Sequence, residues 1–185
     1  MDEKYYVKPD DLLYDSFRLA KKIYDSDFKP TFIVGLWRGG STIAIAMHEF
    51  LTYKGIKTQH IPSKTSGYET GINQQKKQVQ VDLLEYIVRE ANVEDRLLIV
   101  DDIYDTGRSI DSFIETLKKE SRANMPQELK VATVFYKPLK NQTSRVPDYY
   151  LHETDQWVVF PHELVGLSLA EIEAGKSKKI ANLLK

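Results

Sequence analysis

Apolar residues along the chain alternate between short continuous runs and a helical spacing, a pattern that predicts alternating strands and helices. Tyr5, Tyr6 and Val7 read as a short opening strand. Pro9 suits a first helical position, with Asp10 and Asp11 favourable in the first turn. Leu12, Leu13, Phe17, Leu19, Ala20, Ile23 and Tyr24 follow at the spacing of an amphipathic helix. Thr31 to Gly35 is a β-branched, apolar run and predicts a buried strand. Trp37-Arg38-Gly39-Gly40 reads as a turn, with Ser41 capping a helix over Thr42 to Tyr53. Gly55 closes that helix, and Lys57 to Ile61 predicts a further strand. A strand, loop, helix and strand in that order favour a parallel sheet.

Ser63 to Gln75 is polar, contains Gly67 and Gly71, and reads as a long exposed loop. Loops of that length often serve as lids or binding loops. Lys76 to Val81 predicts a strand and Leu83 to Ala91 a helix. Arg96 to Asp101 is a strand that ends in two carboxylates, Asp102 to Gly107 a turn, and Ser109 to Glu120 a helix with Ile110, Phe113, Ile114 and Leu117 on its apolar face. Val131 to Tyr136, Tyr149 to Leu151 and Trp157 to Phe160 predict three more strands. From Leu167 onward the composition is helical, with a break at Gly175. The fold class expected is α/β, a mostly parallel twisted sheet flanked by helices.

The 185 residues suffice for one domain with a sizeable core, so residues 1–185 are expected to form a single domain. The 26 basic and 27 acidic residues nearly cancel. That balance gives no electrostatic reason to expect a nucleic acid or a membrane surface as partner. With no cysteine, disulfides and thiolate metal sites are excluded, and a reducing cytoplasm is permitted. The polar start is no signal peptide, and no apolar run approaches a membrane span. His48, His60, His152 and His162 show no zinc spacing.

Candidate chemistry concentrates in one stretch, Leu97 to Ser109. A buried strand brings Asp101 and Asp102 to its C-terminal end, where open α/β sheets bind ligands. A turn with Thr106 and Gly107 follows, and then a helix begins. Its first backbone N–H groups lack helical partners, and the helix dipole favours an anion there. Thr106 and Ser109 add hydroxyls. One end of the segment suits a phosphate monoester, the other sugar hydroxyls or a metal ion. A phosphorylated ribose has both features a short distance apart. A phospho-acceptor domain would need a further nucleophilic aspartate and a lysine arrangement that have no place here, and a P-loop would need Gly-Lys-Ser/Thr. A purely structural role is poor, because Asp101, Asp102 and Asp105 crowd one short segment and repel without a cation or hydroxyls.

Val100-Asp101-Asp102-Ile103-Tyr104-Asp105-Thr106-Gly107-Arg108-Ser109 resembles the signature of type I phosphoribosyltransferases, which bind phosphoribosyl pyrophosphate (PRPP). Ser109 stands where threonine is commoner. The resemblance implies that Asp101 and Asp102 face the ribose hydroxyls and Mg2+, and that Asp105, Thr106, Gly107, Arg108 and Ser109 hold the 5'-phosphate. Val34 to Gly40 resembles the family's pyrophosphate loop, with Arg38, Gly39 and Gly40 as its donors. Small residues there let backbone amides approach phosphate oxygens. A Gly-Gly turn before a helix is also a common structural element.

Three features resemble the purine branch, the xanthine-guanine and hypoxanthine-guanine enzymes. Lys137 ends a strand where the family lysine donates to the purine O6; a solvated strand-end lysine is the plain alternative. Asp155 to Glu163 resembles the base pocket, with Trp157 stacking on the purine beside Val158; a core tryptophan is the alternative. Asp105 matches the acid near N7, which must take the base's proton as it bonds to the sugar. Glu163 stands where an aspartate is usual, near the base and metal, which implies Asp101, Asp102 and Glu163 as the metal set. Tyr68 lies near the position of the lid tyrosine.

The resemblance implies transfer of ribose 5-phosphate from PRPP to a 6-oxopurine (xanthine, guanine or hypoxanthine), with release of pyrophosphate. Expected with it are Mg2+ as cofactor, a small hood built from the N- and C-terminal segments, a cytoplasmic location and a homo-oligomer. A PRPP-sensing regulator without catalysis is the competing class, although no helix-turn-helix extension or basic face supports a DNA-binding version. An enzyme acting on adenine or a pyrimidine is disfavoured by Lys137, a donor facing an amino group. Leu164 to Lys185 matches no part of the family pattern.

Overall fold

The computed structural model describes residues 4–67, 79–82 and 84–185. The chain folds as two compact units. The larger is Asp15–Asp155; the smaller combines Met1–Tyr14 with Gln156–Lys185.

The larger unit is built on a six-stranded sheet in the order β4-β3-β2-β5-β6-β7. Its strands are β2 (Phe32–Trp37), β3 (Gln59–Gly67), β4 (Val79–Asp82), β5 (Arg96–Tyr104), β6 (Glu128–Tyr136) and β7 (Tyr149–Glu153). All neighbours pair in parallel except β3 with β4. The mostly parallel α/β sheet is therefore as the sequence implies. From β2 the chain steps outward to β3 on one side. From β5 it steps outward to β6 and β7 on the other. The order reverses between β2 and β5, the place where open α/β sheets form their ligand crevice.

The apolar runs become strands because both faces are covered. Phe32, Val34, Leu36, Leu97, Ile99 and Val131 pack with Leu84, Ile87, Ile110, Phe113 and Leu117, from α3 (Glu85–Glu90), the residue before it, and α4 (Arg108–Ser121). Ile33, Leu98 and Val100 are also fully buried, on the alternate positions of the same strands. The helix α2 (Gly39–Tyr53), with Ile43, Met47 and Leu51 fully buried, packs on β2 and β5.

Three differences from expectation bear on the site. β3 runs on through Ser63 to Gly67, where the sequence predicts a loop. Its backbone is paired along its length, with Leu36 and Trp37 of β2 opposite Ser63 and Lys64, and β4 opposite Lys64–Gly67. Ladder hydrogen bonds hold this segment without apolar alternation. The rest of the expected loop, with Tyr68 near the position of the lid tyrosine, lies outside the described residues. β5 continues past its two acids to Tyr104, because Ile103 and Tyr104 pair with Phe135 and Tyr136 of β6. Ser41 is no cap. Trp37 ends β2, Arg38 is the N-cap of α2, and the helix has begun at Gly39.

The smaller unit has its own two-stranded sheet. β1 (Lys4–Tyr6) pairs in parallel with β8 (Trp157–Val159), Lys4 opposite Trp157. Two short helices follow, α5 (Leu169–Gly175) and α6 (Lys178–Leu183). Ser168 and Glu171 form a capping box at the start of α5, satisfying two orphan amides reciprocally. Val158, Val159, Phe160, Ile172 and Ala181 are buried. The helix α1 (Pro9–Tyr24) starts in this segment and continues into the larger unit. No helix among the described residues is long and apolar enough to cross a membrane.

Candidate functional site

The end of β5 carries the carboxylates. Leu97 to Val100 have no exposed surface, so the strand is anchored up to the residue before Asp101. Asp102 is buried and Asp101 part-buried. The Asp102 amide donates to Asp101 Oδ1 at 2.9 Å. Burial, and then the adjacent Asp102 carboxylate, push the Asp101 carboxyl well above the ordinary carboxylate range, while the Gly40 backbone opposes this as a hydrogen-bond donor. A pair of carboxylates so placed is a hard-oxygen donor set. It fits Mg2+, which takes one or two protein carboxylates and completes its shell with water and substrate phosphates. Among the described residues no group of three or more His, Asp or Glu side chains is gathered for a metal.

The loop after β2 meets these acids directly. A Cβ on Gly39 would lie 1.7 Å from Asp102 Oδ2. One on Gly40 would lie 2.2 Å from the Val100 carbonyl oxygen. Both glycines are thus required by close approach, which brings the two sequence motifs together at the point where the strand order reverses. The Trp37–Arg38 peptide bond is cis. Arg38 is exposed, and the first amides of α2 are those of Gly39 and Gly40. The α2 start has no side-chain cap; its Gly40 amide donates to Asp101 and its Ser41 amide to the Arg38 carbonyl at 3.3 Å, while the positive end of the helix dipole there favours an anion.

The turn after β5 spans Asp105, Thr106 and Gly107. Gly107 has φ 79° as the N-cap of α4, a left-handed conformation that favours glycine. It is also packed tightly, since a Cβ there would meet the Tyr104 ring at 2.6 Å and Thr143 Oγ1 at 2.7 Å. Arg108 and Ser109 are exposed in the first turn of the helix. A cavity of about 230 Å³ is lined by residues 101–107, Ser109 and Ile110.

Sequence reasoning missed what braces this turn. The segment after β6 folds back on it. Gln142 N donates to the Thr106 carbonyl at 3.0 Å. The buried Tyr104 hydroxyl lies 2.9 Å from Thr143 Oγ1 and donates to the Arg145 carbonyl at 3.2 Å. Asn141 Nδ2 donates to the same carbonyl, and its Oδ1 accepts from the Thr143 amide. Arg145 pairs with Asp111 of α4 at 3.6 Å. Burial raises the Asp111 carboxyl above its ordinary value, partly offset by Arg145. The only signal in the sequence is a polar loop rich in turn formers, Asn141-Gln142-Thr143-Ser144, which marks a loop without saying where it docks.

Lys137 is no solvated strand-end lysine. It is 5% exposed; its amide donates to the Tyr104 carbonyl at 2.9 Å, and its Nζ donates to Asp105 Oδ2 at 3.2 Å. The other Asp105 oxygen, Oδ1, is buried without a hydrogen-bond partner among the described residues. The pairing of β5 with β6 places these two residues together although they are 32 positions apart.

The other expected site residues lie in the smaller unit. Trp157 is 51% exposed, so it is not a core tryptophan. Val158 is buried. Glu163 Oε2 accepts the Phe160 amide at 3.0 Å.

The family model described as a phosphoribosyl transferase domain matches residues 10–167. No curated protein matches the sequence significantly. Among solved structures, a purine phosphoribosyltransferase from Pyrococcus horikoshii is similar at 28% identity and a TM-score of 0.71, over 89% of this chain and 97% of that one. Two others share the fold. One is a hypothetical protein from Neisseria gonorrhoeae with bound ppGpp (TM-score 0.74, 19% identity, 100% and 99% of the two chains). The other is a xanthine-guanine-hypoxanthine phosphoribosyltransferase from Helicobacter pylori (TM-score 0.63, 17% identity, 86% and 92%).

Proposed function

Because the chain belongs to the phosphoribosyltransferase family, and is thereby a transferase, we propose that its acceptor is a 6-oxopurine and its donor PRPP. The reading includes a Mg2+-dependent reaction, a cytoplasmic location, a homo-oligomer and residues 1–185 acting as one catalytic domain. The observation that carries it is the contact of Lys137 Nζ with Asp105 Oδ2. On a 6-oxopurine, O6 and N7 lie side by side on one edge. An ammonium beside a carboxylate offers that edge a donor for O6 and an acceptor for a proton on N7. Adenine presents an amino group in place of O6, a donor facing a donor. The similarity to the Pyrococcus horikoshii purine phosphoribosyltransferase supports a purine as the acceptor.

In this reading the residues divide the work. Asp101 and Asp102 orient the ribose hydroxyls and would hold Mg2+, with Glu163 proposed as a further carboxylate near it. Bound there, the ion supplies charge neutralisation for pyrophosphate. Arg38 and the Gly39 and Gly40 amides receive the negative charge that grows on the leaving group. The Thr106, Gly107, Arg108 and Ser109 backbone and hydroxyls hold the 5'-phosphate at the start of α4. Asp105 accepts the base proton, Lys137 fixes O6, and Trp157 beside Val158 offers the face on which the base stacks.

A panel of purines and pyrimidines incubated with PRPP and Mg2+, with pyrophosphate release measured, tests the reading. Transfer to at least one 6-oxopurine, lost on chelating the metal, is the expected result. Tight PRPP binding with no nucleotide formed from any base would favour the regulator instead. Lys137→Met keeps much of the apolar stem and removes the donor. Discrimination against adenine is expected to shrink by about 10-fold or more, because a buried hydrogen bond to a charged group contributes about 1.5–3 kcal/mol. Comparing kcat/KM for hypoxanthine and adenine checks it; an unchanged ratio removes Lys137 from the O6 contact.

A further inference from the structure

We propose that Lys4, anchored by Glu171, is a positioning residue for Trp157 and sets the affinity for the acceptor base. The inference rests on the reading of Trp157 as the base-stacking face. Lys4 and Trp157 are direct partners in the parallel β1–β8 ladder, so their side chains leave the sheet on the same face. Lys4 Nζ stands 4.8 Å from the centre of the Trp157 ring, within the range at which a cation is attracted to an indole face.

The ammonium is itself fixed. It donates to Glu171 Oε1 at 2.5 Å. Glu171 Oε2 accepts both the Ser168 amide, at 2.8 Å, and the Ser168 hydroxyl, at 2.9 Å. The Lys4 ammonium, and then the Ser168 donors, hold the Glu171 carboxyl down to about 2, so this anchor stays ionised across the neutral range. Helix α5 is tied at its other end to β1 and to the residue that follows β8. Gly175 lies against the Tyr6 ring, where a Cβ would meet Cε1 at 2.3 Å, and Lys176 Nζ donates to the Phe160 carbonyl at 2.5 Å. A contact chain therefore runs from the start of α5 through Glu171 and Lys4 to the indole.

One face of Trp157 meets the cation, and the side chain still keeps about half its surface exposed (51%). Holding the ring before the base arrives removes rotamer freedom that binding would otherwise have to remove. The segment after Leu167, where the family match ends, thereby takes on a role: α5 braces the stacking residue.

Steady-state kinetics of Lys4→Met, Lys4→Arg, Glu171→Gln, Trp157→Ala and the Lys4→Met/Trp157→Ala pair test this, with PRPP, Mg2+ and the preferred 6-oxopurine. Lys4→Met is expected to raise the purine KM about 3–10-fold, the scale of a lost cation–π contact, with the PRPP KM within about 2-fold. Lys4→Arg restores the wild-type value, and Glu171→Gln gives a smaller rise. In the Trp157→Ala background Lys4→Met adds nothing. An undiminished Lys4→Met effect in that background overturns the inference, as does an equal rise in both KM values. A raised purine KM in Trp157→Ala with none in Lys4→Met overturns the inference alone. An unchanged purine KM in Trp157→Ala overturns the stacking reading and the inference with it, and so does a protein that uses no 6-oxopurine.

Discussion

Asp105→Asn is expected to lower kcat by about 10²–10⁴-fold, the usual loss when a general base is removed, while PRPP affinity stays within a few-fold of wild type. The amide has the shape of the carboxylate, and its oxygen can still accept from Lys137 Nζ, now 3.2 Å from Asp105 Oδ2. The turn and the buried lysine therefore keep their contacts, and only the proton acceptor is lost. Single-turnover rates with saturating PRPP, beside a PRPP titration by calorimetry, separate the two effects. A variant within a few-fold of wild type rejects the base role. An equal loss of PRPP affinity would make Asp105 a turn-forming residue instead.

Two adjacent glycines give a contrasting pair. Gly39→Ala places a methyl 1.7 Å from the Asp102 carboxylate, an obstacle that a side-chain rotation can relieve. The fold should survive and the carboxylate should leave its position. Losses from displacing a group that orients a metal ligand are typically 10–100-fold, so Mg2+-dependent PRPP affinity is expected to fall by about that factor with little change in Tm. Gly40→Ala places its methyl 2.2 Å from the Val100 carbonyl oxygen and 2.8 Å from the Asp101 Cα. Those are backbone atoms of a buried strand and cannot step aside. Overpacking of this kind costs about 1–3 kcal/mol or more, and for a chain of this size each kcal/mol lowers Tm by about 2–4 °C. Melting curves and PRPP titrations of the two variants check the contrast. Equal melting losses in both would mean that Asp102 has no more freedom to move than the strand backbone.

What the sequence reveals follows the range over which each interaction acts. The strand, turn and helix from Arg96 to Ser121 are legible because one short segment holds the apolar run, the acids, the left-handed glycine and the helix start. The order of strands and helices is legible for the same reason. The continuation of β3 into Ser63–Gly67 is not, since backbone pairing with β2 and β4 leaves no apolar alternation to read. The start of α2 at Gly39 is set by how closely the loop can approach Val100 and Asp102, a fact about a neighbouring strand. The contact of Lys137 with Asp105 needs the register of β5 on β6. The brace from Gln142, Thr143 and Arg145 onto the turn depends on how a loop docks, which spacing does not encode. The exposure of Trp157, which is no core tryptophan, depends on packing alone.

The parallel pairing of β1 with β8 also constrains the order in which the molecule can be made. Lys4 and Glu171 are 167 residues apart. Closing so long a loop through an unfolded chain would cost roughly 4–5 kcal/mol of entropy on the logarithmic scaling. The segment 15–155 is contiguous and contains every strand of the large sheet, so it can condense first and replace most of that loop with a folded body. During synthesis β1 emerges ahead of that whole segment and waits without its partner until β8 has left the ribosome. The strand that carries Lys4 is then the last to be captured, and the two-stranded sheet of β1 and β8 is completed after the six-stranded one.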